Sequence, residues 1–154
     1  MACKRAEILT ALAARLATVT VANGYTLTVK KVYADEIPLG LELADHEVPA
    51  ILLLDKECRL NHEFQDLDAE WFLELQLIHG QVSDSVMLDF TRQVLKALFV
   101  DHPTAEGNLG IRTLHPLVYD IHALSAFGDL NTIEGNRFAI LEITIMFKSK
   151  TWDF

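Results

Sequence analysis

Between Asp35 and Glu74 the chain holds 12 of its 22 acids but only 2 of its 13 Lys and Arg, so this segment carries a net charge of -10. Two apolar runs thread it, Ala50-Ile51-Leu52-Leu53-Leu54 and Trp71-Phe72-Leu73-Glu74-Leu75-Gln76-Leu77-Ile78. A disordered acidic tail lacks such runs, so the carboxylates must be presented from a folded sheet. The first run has no polar interruption, which predicts a strand buried on both faces and central in its sheet. In the second, Trp71, Leu73, Leu75 and Leu77 alternate with Phe72, Glu74, Gln76 and Ile78, which predicts one packed and one partly wet face.

The remaining periodicities place these strands in an α+β frame. Ile8, Leu9, Leu12, Leu16 and Val19 recur at helical spacing over Cys3–Thr20, and Asn23-Gly24 supplies a left-handed stop. Thr26–Tyr33 reads as a strand. Residues 34–48 carry Pro38 and Gly40 among acids and read as an irregular excursion, while Lys56–Asp68 reads as a polar connector. Ser83 or Ser85 caps a second helix to about Val100 with Val86, Phe90, Val94, Ala97 and Leu98 as its stripe, and His102-Pro103 stops it. Strands at Ile111–Leu114, Leu117–Leu124 and Arg137–Phe147 follow, with a loop from Ala126 to Asn136. The order α-β-β-β-α-β-β-β predicts a single, mostly antiparallel (mixed) sheet with two main helices on one face. One domain over 1–154 is expected, with the acidic excursion at 34–48 and a short C-terminal tail at 148–154.

Composition narrows the function. A net charge of -9 disfavours binding through phosphates or to anionic membrane. No apolar run reaches the ~18 residues of a membrane span, and no secretory h-region is present, so the chain reads as soluble and made in the cytoplasm. Cys3 and Cys58 lack CxxC spacing and read as free thiols. The six histidines show no HExxH spacing, and Cys58 with His62 lacks the second ligand pair that structural zinc requires. A metal-dependent hydrolase built on Cys58, His62 and Glu63 is therefore set aside. No G-x-S-x-G, G-x-G-x-x-G or phosphate-loop pattern occurs, so no catalytic residue, metal or cofactor is assigned.

Two features fit a protein that docks or encloses something. In the excursion, Ile37, Leu39, Leu41 and Leu43 alternate with polar residues, as in an arm that could add an edge to a neighbour's sheet. The chain closes on Trp152 and Phe154, aromatic anchors for a neighbouring subunit or partner, unless they fold back over their own sheet.

The helix ending at Asn23-Gly24-Tyr25, the strands Val48-Pro49-Ala50-Ile51-Leu52-Leu53 and Trp71 to Ile78, the helix to Phe99 and the closing strand Ala139-Ile140-Leu141-Glu142-Ile143-Thr144-Ile145 together resemble the tail terminator proteins of long-tailed bacteriophages. The resemblance implies a non-enzymatic virion protein, assembled in the host cytoplasm. It would form a homohexameric ring on the head-proximal end of the tail tube, ending tube polymerisation and offering the head-joining surface. Its implied partners are itself, the tail tube protein and a head-completion or connector protein, with DNA passing through the lumen unbound. Acids lining such a lumen would repel phosphates over about a Debye length, ~8 Å. The candidates for the pore or tube-facing surface are Asp35, Glu36, Glu42, Asp45, Glu47, Glu57, Glu63, Asp66, Asp68, Glu70 and Glu74. Alternatives are another ring-forming neck, head-completion or tail tube protein of the same assembly, or an acidic inhibitor that mimics DNA.

Overall fold

The computed structural model describes residues 3–34, 43–99, 120–127, 132–133 and 136–154. The elements are α1 (Lys4–Leu16), β1 (Lys31–Tyr33), β2 (Ala50–Glu63), β3 (Asp66–His79), α2 (Asp84–Phe99), β4 (Asp120–Phe127), β5 (Thr132–Ile133) and β6 (Asn136–Lys150). This is the expected α+β class, with the expected order through α2. One mixed sheet runs β1-β2-β3-β6-β4, with β5 paired to β6. Among the described residues only β1 against β2 is parallel.

β3 pairs along its whole length with β6 and along nearly all of it with β2, and one parity of side chain from each strand forms the core. Ile51 and Leu53, Trp71, Leu73, Leu75 and Leu77, and Leu141, Ile143, Ile145 and Phe147 are all buried there. Ile8, Leu12 and Leu16 of α1 and Met87, Phe90, Val94, Ala97 and Leu98 of α2 complete the same cluster. Ala50 to Leu53 are buried on both faces as their unbroken apolar run predicts, because a second small cluster of Leu43, Val48, Ala50, Leu52 and Ile78 covers the base of the opposite face.

Several boundaries differ from the sequence expectations. α1 ends at Leu16, and a separate 3-10 turn, Val21–Asn23, leads to Gly24 at φ 88°, the left-handed position that glycine fills without a Cβ clash. The turn is capped by the Thr20 side chain, which accepts from Asn23 N. Thr26–Tyr33 is a strand only over Lys31–Tyr33. In α2 the buried stripe uses Met87, while Val86 is exposed. The interval Ala126–Asn136 contains the end of β4 and β5, and β6 runs on to Lys150, shortening the expected tail. His102-Pro103 and the expected strand Ile111–Leu114 lie outside the described residues.

The largest correction concerns Lys56–Asp68, which is a hairpin rather than a connector. β2 continues to Glu63 and β3 starts at Asp66, so Phe64 and Gln65 form a two-residue turn. The register slips between Asp55 and Glu57, with Lys56 as the extra residue of a β-bulge. Before the bulge Leu52 and Leu54 oppose Gln76 and Glu74. After it Glu57 and Arg59 oppose Phe72 and Glu70. The bulge therefore turns Cys58 toward the core and Glu57 outward; an unbulged strand would do the reverse.

Polar contacts tie the helices to each other and to the sheet. Arg15 is buried and its Nε donates to Ala97 O at 2.6 Å, satisfying a last-turn carbonyl of α2 with a positive charge. At the other end of α2, Arg137 of β6 pairs with Asp84 in the first turn and donates to Val82 O at 2.8 Å. No helix among the described residues is long and apolar enough to cross a membrane.

Deleting Lys56 joins Asp55 directly to Glu57 and leaves Cys58 inward and Glu57 and Arg59 outward in unbroken alternation, so it should cost only about 1–2 kcal/mol of unfolding free energy in chemical denaturation, from the lost bulge twist and ion pair. Lys56→Ala loses only the ion pair with Glu74 and should cost about 1 kcal/mol. His79 gives a second expectation. Its Nδ1 accepts from Gly80 N at 2.8 Å, its ring meets Phe90 edge-on, and burial, reinforced by Lys30, holds its pKa below the ordinary value. The unfolded chain thus binds this proton more tightly, and stability is lost as pH falls through about 6.5. The thermal midpoint should drop between pH 7.5 and 5.5, and His79→Asn should flatten that slope.

Candidate functional site

The sheet face opposite the helices is where the chain concentrates chemistry that its core does not use. Strand alternation puts Asp66, Asp68, Glu70, Phe72, Glu74 and Gln76 of β3 on this face, and the bulge adds Glu57, Arg59, Asn61 and Glu63 of β2. Register with β6 brings Lys150, Lys148, Met146, Thr144, Glu142 and Ile140 alongside. Five of the candidate acids, Glu57, Glu63, Asp66, Asp68 and Glu70, therefore share the distal half of one face.

That half is not uniformly negative. Arg59 donates to Glu57 at 3.2 Å and lies with its guanidinium 4.9 Å from the Phe72 ring centroid, while Lys150 pairs with Asp66. Lys148 stands directly opposite Asp68. The acidic row of β3 runs between cations from β2 on one side and β6 on the other. Sequence reasoning missed these cations because β6 is some eighty positions away; its alternation of Phe147, Lys148, Ser149 and Lys150 was the available signal.

The proximal half of the face is drier. Glu74 lies on the expected face but is only 8% exposed, held by Lys56 at 3.5 Å and by Gln76 Nε2 at 3.0 Å, so it is a structural ion-pair member and not an open carboxylate. Glu142 stands opposite Glu74 and accepts from Ser125 Oγ at 3.0 Å. Leu54, Phe72, Ile140 and Met146 are half-buried around them. Asp45 and Glu47 occupy a 3-10 turn before Val48 and Pro49, at the base of β2, far along the strand from the hairpin acids. Glu47 is partly engaged, since its Oε2 accepts from Ala44 N at 3.0 Å. Asp35, Glu36 and Glu42, and with them Leu39 and Leu41, lie outside the described residues.

The two C-terminal aromatics part company. Phe154 stacks on Phe147 with ring centroids 6.1 Å apart, under the Arg5 guanidinium at 4.4 Å, and packs against the main core. Phe154 thus folds back on its own chain, over the inner strand β6 and not over the sheet edge. Arg5 also pairs with Asp55, which accepts from Trp71 Nε1 at 2.8 Å. Trp152 instead is 72% exposed.

Around the hairpin end, a cleft of about 560 Å³ is lined by Lys4, Asn61, Glu63, Asp66, Lys148 and Asp153 among others, mixing charges of both signs. Among the described residues no group of three or more His, Cys, Asp and Glu side chains is placed to hold a metal ion. Cys3 and Cys58 are both free, and burial pushes the Cys58 thiol up.

No protein-family model matches the chain, and no curated protein matches it in sequence. Among solved structures, a chain in the virion of a native gene transfer agent (GTA) particle superposes with a TM-score of 0.62 over 92% of this chain and 94% of that one, at 16% identity. At that identity the likeness is one of fold: the arrangement of sheet and helices described above is shared with a protein of a virion.

Proposed function

We propose that this chain is a structural protein of a phage-like particle and acts as its tail terminator, a hexameric ring on the head-proximal end of the tail tube that ends tube growth and receives the head. The shared fold with a virion chain and the pattern resemblance support this reading. The single observation that carries it is the partly uncovered edge of β2 at one end of the sheet. Among the described residues β1 covers β2 only over Ala50–Leu52, while β4, at the other end of the strand order, pairs with β6. With β2, β3, β6 and β4 alternating in direction, β4 of one copy meets β2 of the next antiparallel when copies repeat around an axis parallel to the strands. The register is suitable too, since β4 lies level with Leu52–Arg59, nearly all of it the stretch that β1 leaves open. A contact of this head-to-tail kind closes into a ring when its rotation allows.

In such a ring the face bearing Glu57, Glu63, Asp66, Asp68 and Glu70 turns to the lumen. The row of carboxylates keeps passing DNA from adhering, while Arg59, Lys148 and Lys150 fix their positions by cross-strand pairing. Interleaved cations also count against the DNA-mimic reading, which needs an unbroken negative surface. Asp35, Glu36, Glu42, Leu39 and Leu41 are assigned to contacts with the tube or a neighbouring copy.

Electron microscopy of tail tubes incubated with the purified chain tests the assignment. A ring at one end only, with a central hole, is expected; decoration along the tube or incorporation into it would transfer the chain to the tube protein's role. Replacing Glu57, Glu63, Asp66, Asp68 and Glu70 together by Lys should leave the ring assembled and slow DNA ejection, and unchanged infectivity would refute the lumen assignment.

A further inference from the structure

The end of the β2–β3 hairpin is built in a way that solvent exposure alone does not explain. Phe64 sits at φ 57°, a left-handed conformation that glycine or asparagine adopts at much lower cost, and it is 88% exposed. A strained backbone position that presents a large apolar side chain to water points to a function. The chain's C-terminus converges on the same turn. Thr151 donates from both its backbone N and its Oγ1 to Gln65 O at 2.9 Å, and Asp153 N closes a turn onto Lys150 O at 3.0 Å. Trp152 lies between Thr151, fixed to the hairpin, and Phe154, fixed to the core, so the backbone that presents the exposed indole is held on both sides. Leu60, half exposed on β2, extends the apolar surface back from the tip.

Resting on the ring reading above, we propose that Phe64 and Trp152 form an anchor that inserts into an apolar socket on the protein ring stacked against this end. The strands run along the ring axis in that reading, so the hairpin tip is an axial end and its neighbour is the stacked ring. Two aromatics offer about 300–500 Å² of surface, less than the about 800 Å² per partner of a stable pair. Two tips meeting each other do not hold a dimer, whereas identical anchors repeated around a ring reinforce one another through effective concentration. The turn is bracketed by Glu63 and Asp66, which repel phosphates and exclude nucleic acid as the occupant. Asp66 is already paired with Lys150, and Glu63 has no ion pair among the described residues, so the socket carries Lys or Arg at its rim opposite Glu63.

The double variant Phe64→Asn, Trp152→Ser tests this, since asparagine suits the left-handed turn and the fold is retained. The variant should keep the wild-type thermal midpoint and form rings, yet lose at least about 30-fold in joining to the stacked tube or head connector, as expected for a lost interface hot spot. Wild-type joining by the variant would overturn the proposal, as would failure of the variant alone to form rings, which would make the aromatics ring contacts. Binding of the wild type to vesicles of phosphatidylcholine and phosphatidylglycerol, abolished in the variant, would replace the socket by a membrane. If the wild type neither forms rings nor binds tubes, the ring reading itself fails, and the anchor with it.

Discussion

The whole architecture depends on β3 being hydrogen-bonded on both sides over nearly its full length. All fourteen of its residues pair with β6 and the first thirteen, Asp66 to Ile78, also pair with β2, without a break in their own alternation, so each side chain is committed to one face. Ala69, Trp71, Leu73, Leu75 and Leu77 enter the helix-side core, and that burial forbids a slip by one residue, which would send Asp68, Glu70, Glu74 and Gln76 inward. β2 meets this demand only because of the bulge at Lys56. Its first half needs Ile51 and Leu53 on the core side, and its second half needs Cys58 there, an interval that no uninterrupted alternation supplies. The gathering of Glu57 and Glu63 with the acids of β3 is thus a by-product of keeping Cys58 in and Glu57 out.

What could be read from the sequence follows from where burial is strong. Trp71 to Ile78 and Ala139 to Phe147 lie under helices on one side, so hydrophobicity there carries the strand period. Lys56 to Asp68 extends past the helix layer, where both faces are wet. Cys58 is half-buried, Leu60 is half exposed, and only Leu67 near the end of the stretch is buried among polar or solvated residues, so too little of a period of two remains to be seen. The turn adds no signal, because Phe64 occupies a position where Asn or Gly would have announced a hairpin. The substitution of Met87 for Val86 in the α2 stripe reflects one residue of phase, set by where the capping turn at Ser83 starts the helix. Among the site residues, the acids of β3 were legible because alternation places them together. The cations beside them arrive from β6 through tertiary pairing, which spacing along the chain does not encode.

The chain termini show how local chemistry holds the distal sheet together once the helices end. Arg5 of α1 lies over the Phe154 ring, 5.7 Å from the Trp71 ring centroid and within 3.6 Å of Asp55, while Lys4 N donates to Asp153 O at 2.9 Å. One cation therefore gathers the first helix, the strand before the bulge, the central strand and the C-terminus. Stacking of Phe154 on Phe147 extends the core by one layer where the helices no longer reach. The last residues are in consequence part of the folded body, which is why Trp152, with no place in the core, is presented and not merely loose.

Open sheet edges are hazards, and among the described residues the strands at the two ends of the sheet order carry devices that limit indiscriminate pairing. The distal part of β2 has a bulge and the charges of Lys56, Glu57, Arg59 and Glu63, and β4 has its own irregularity between Ala123 and Ser125. β1 is only three residues long and covers just the apolar start of β2, where Ala50 to Leu52 would otherwise offer an unguarded strand. Such edges disfavour the flat, register-free stacking that leads to aggregates, because a bulged and charged strand accepts only a partner that matches its twist and charge. A bulged and charged edge that disfavours indiscriminate pairing would also make any specific strand pairing with another chain selective.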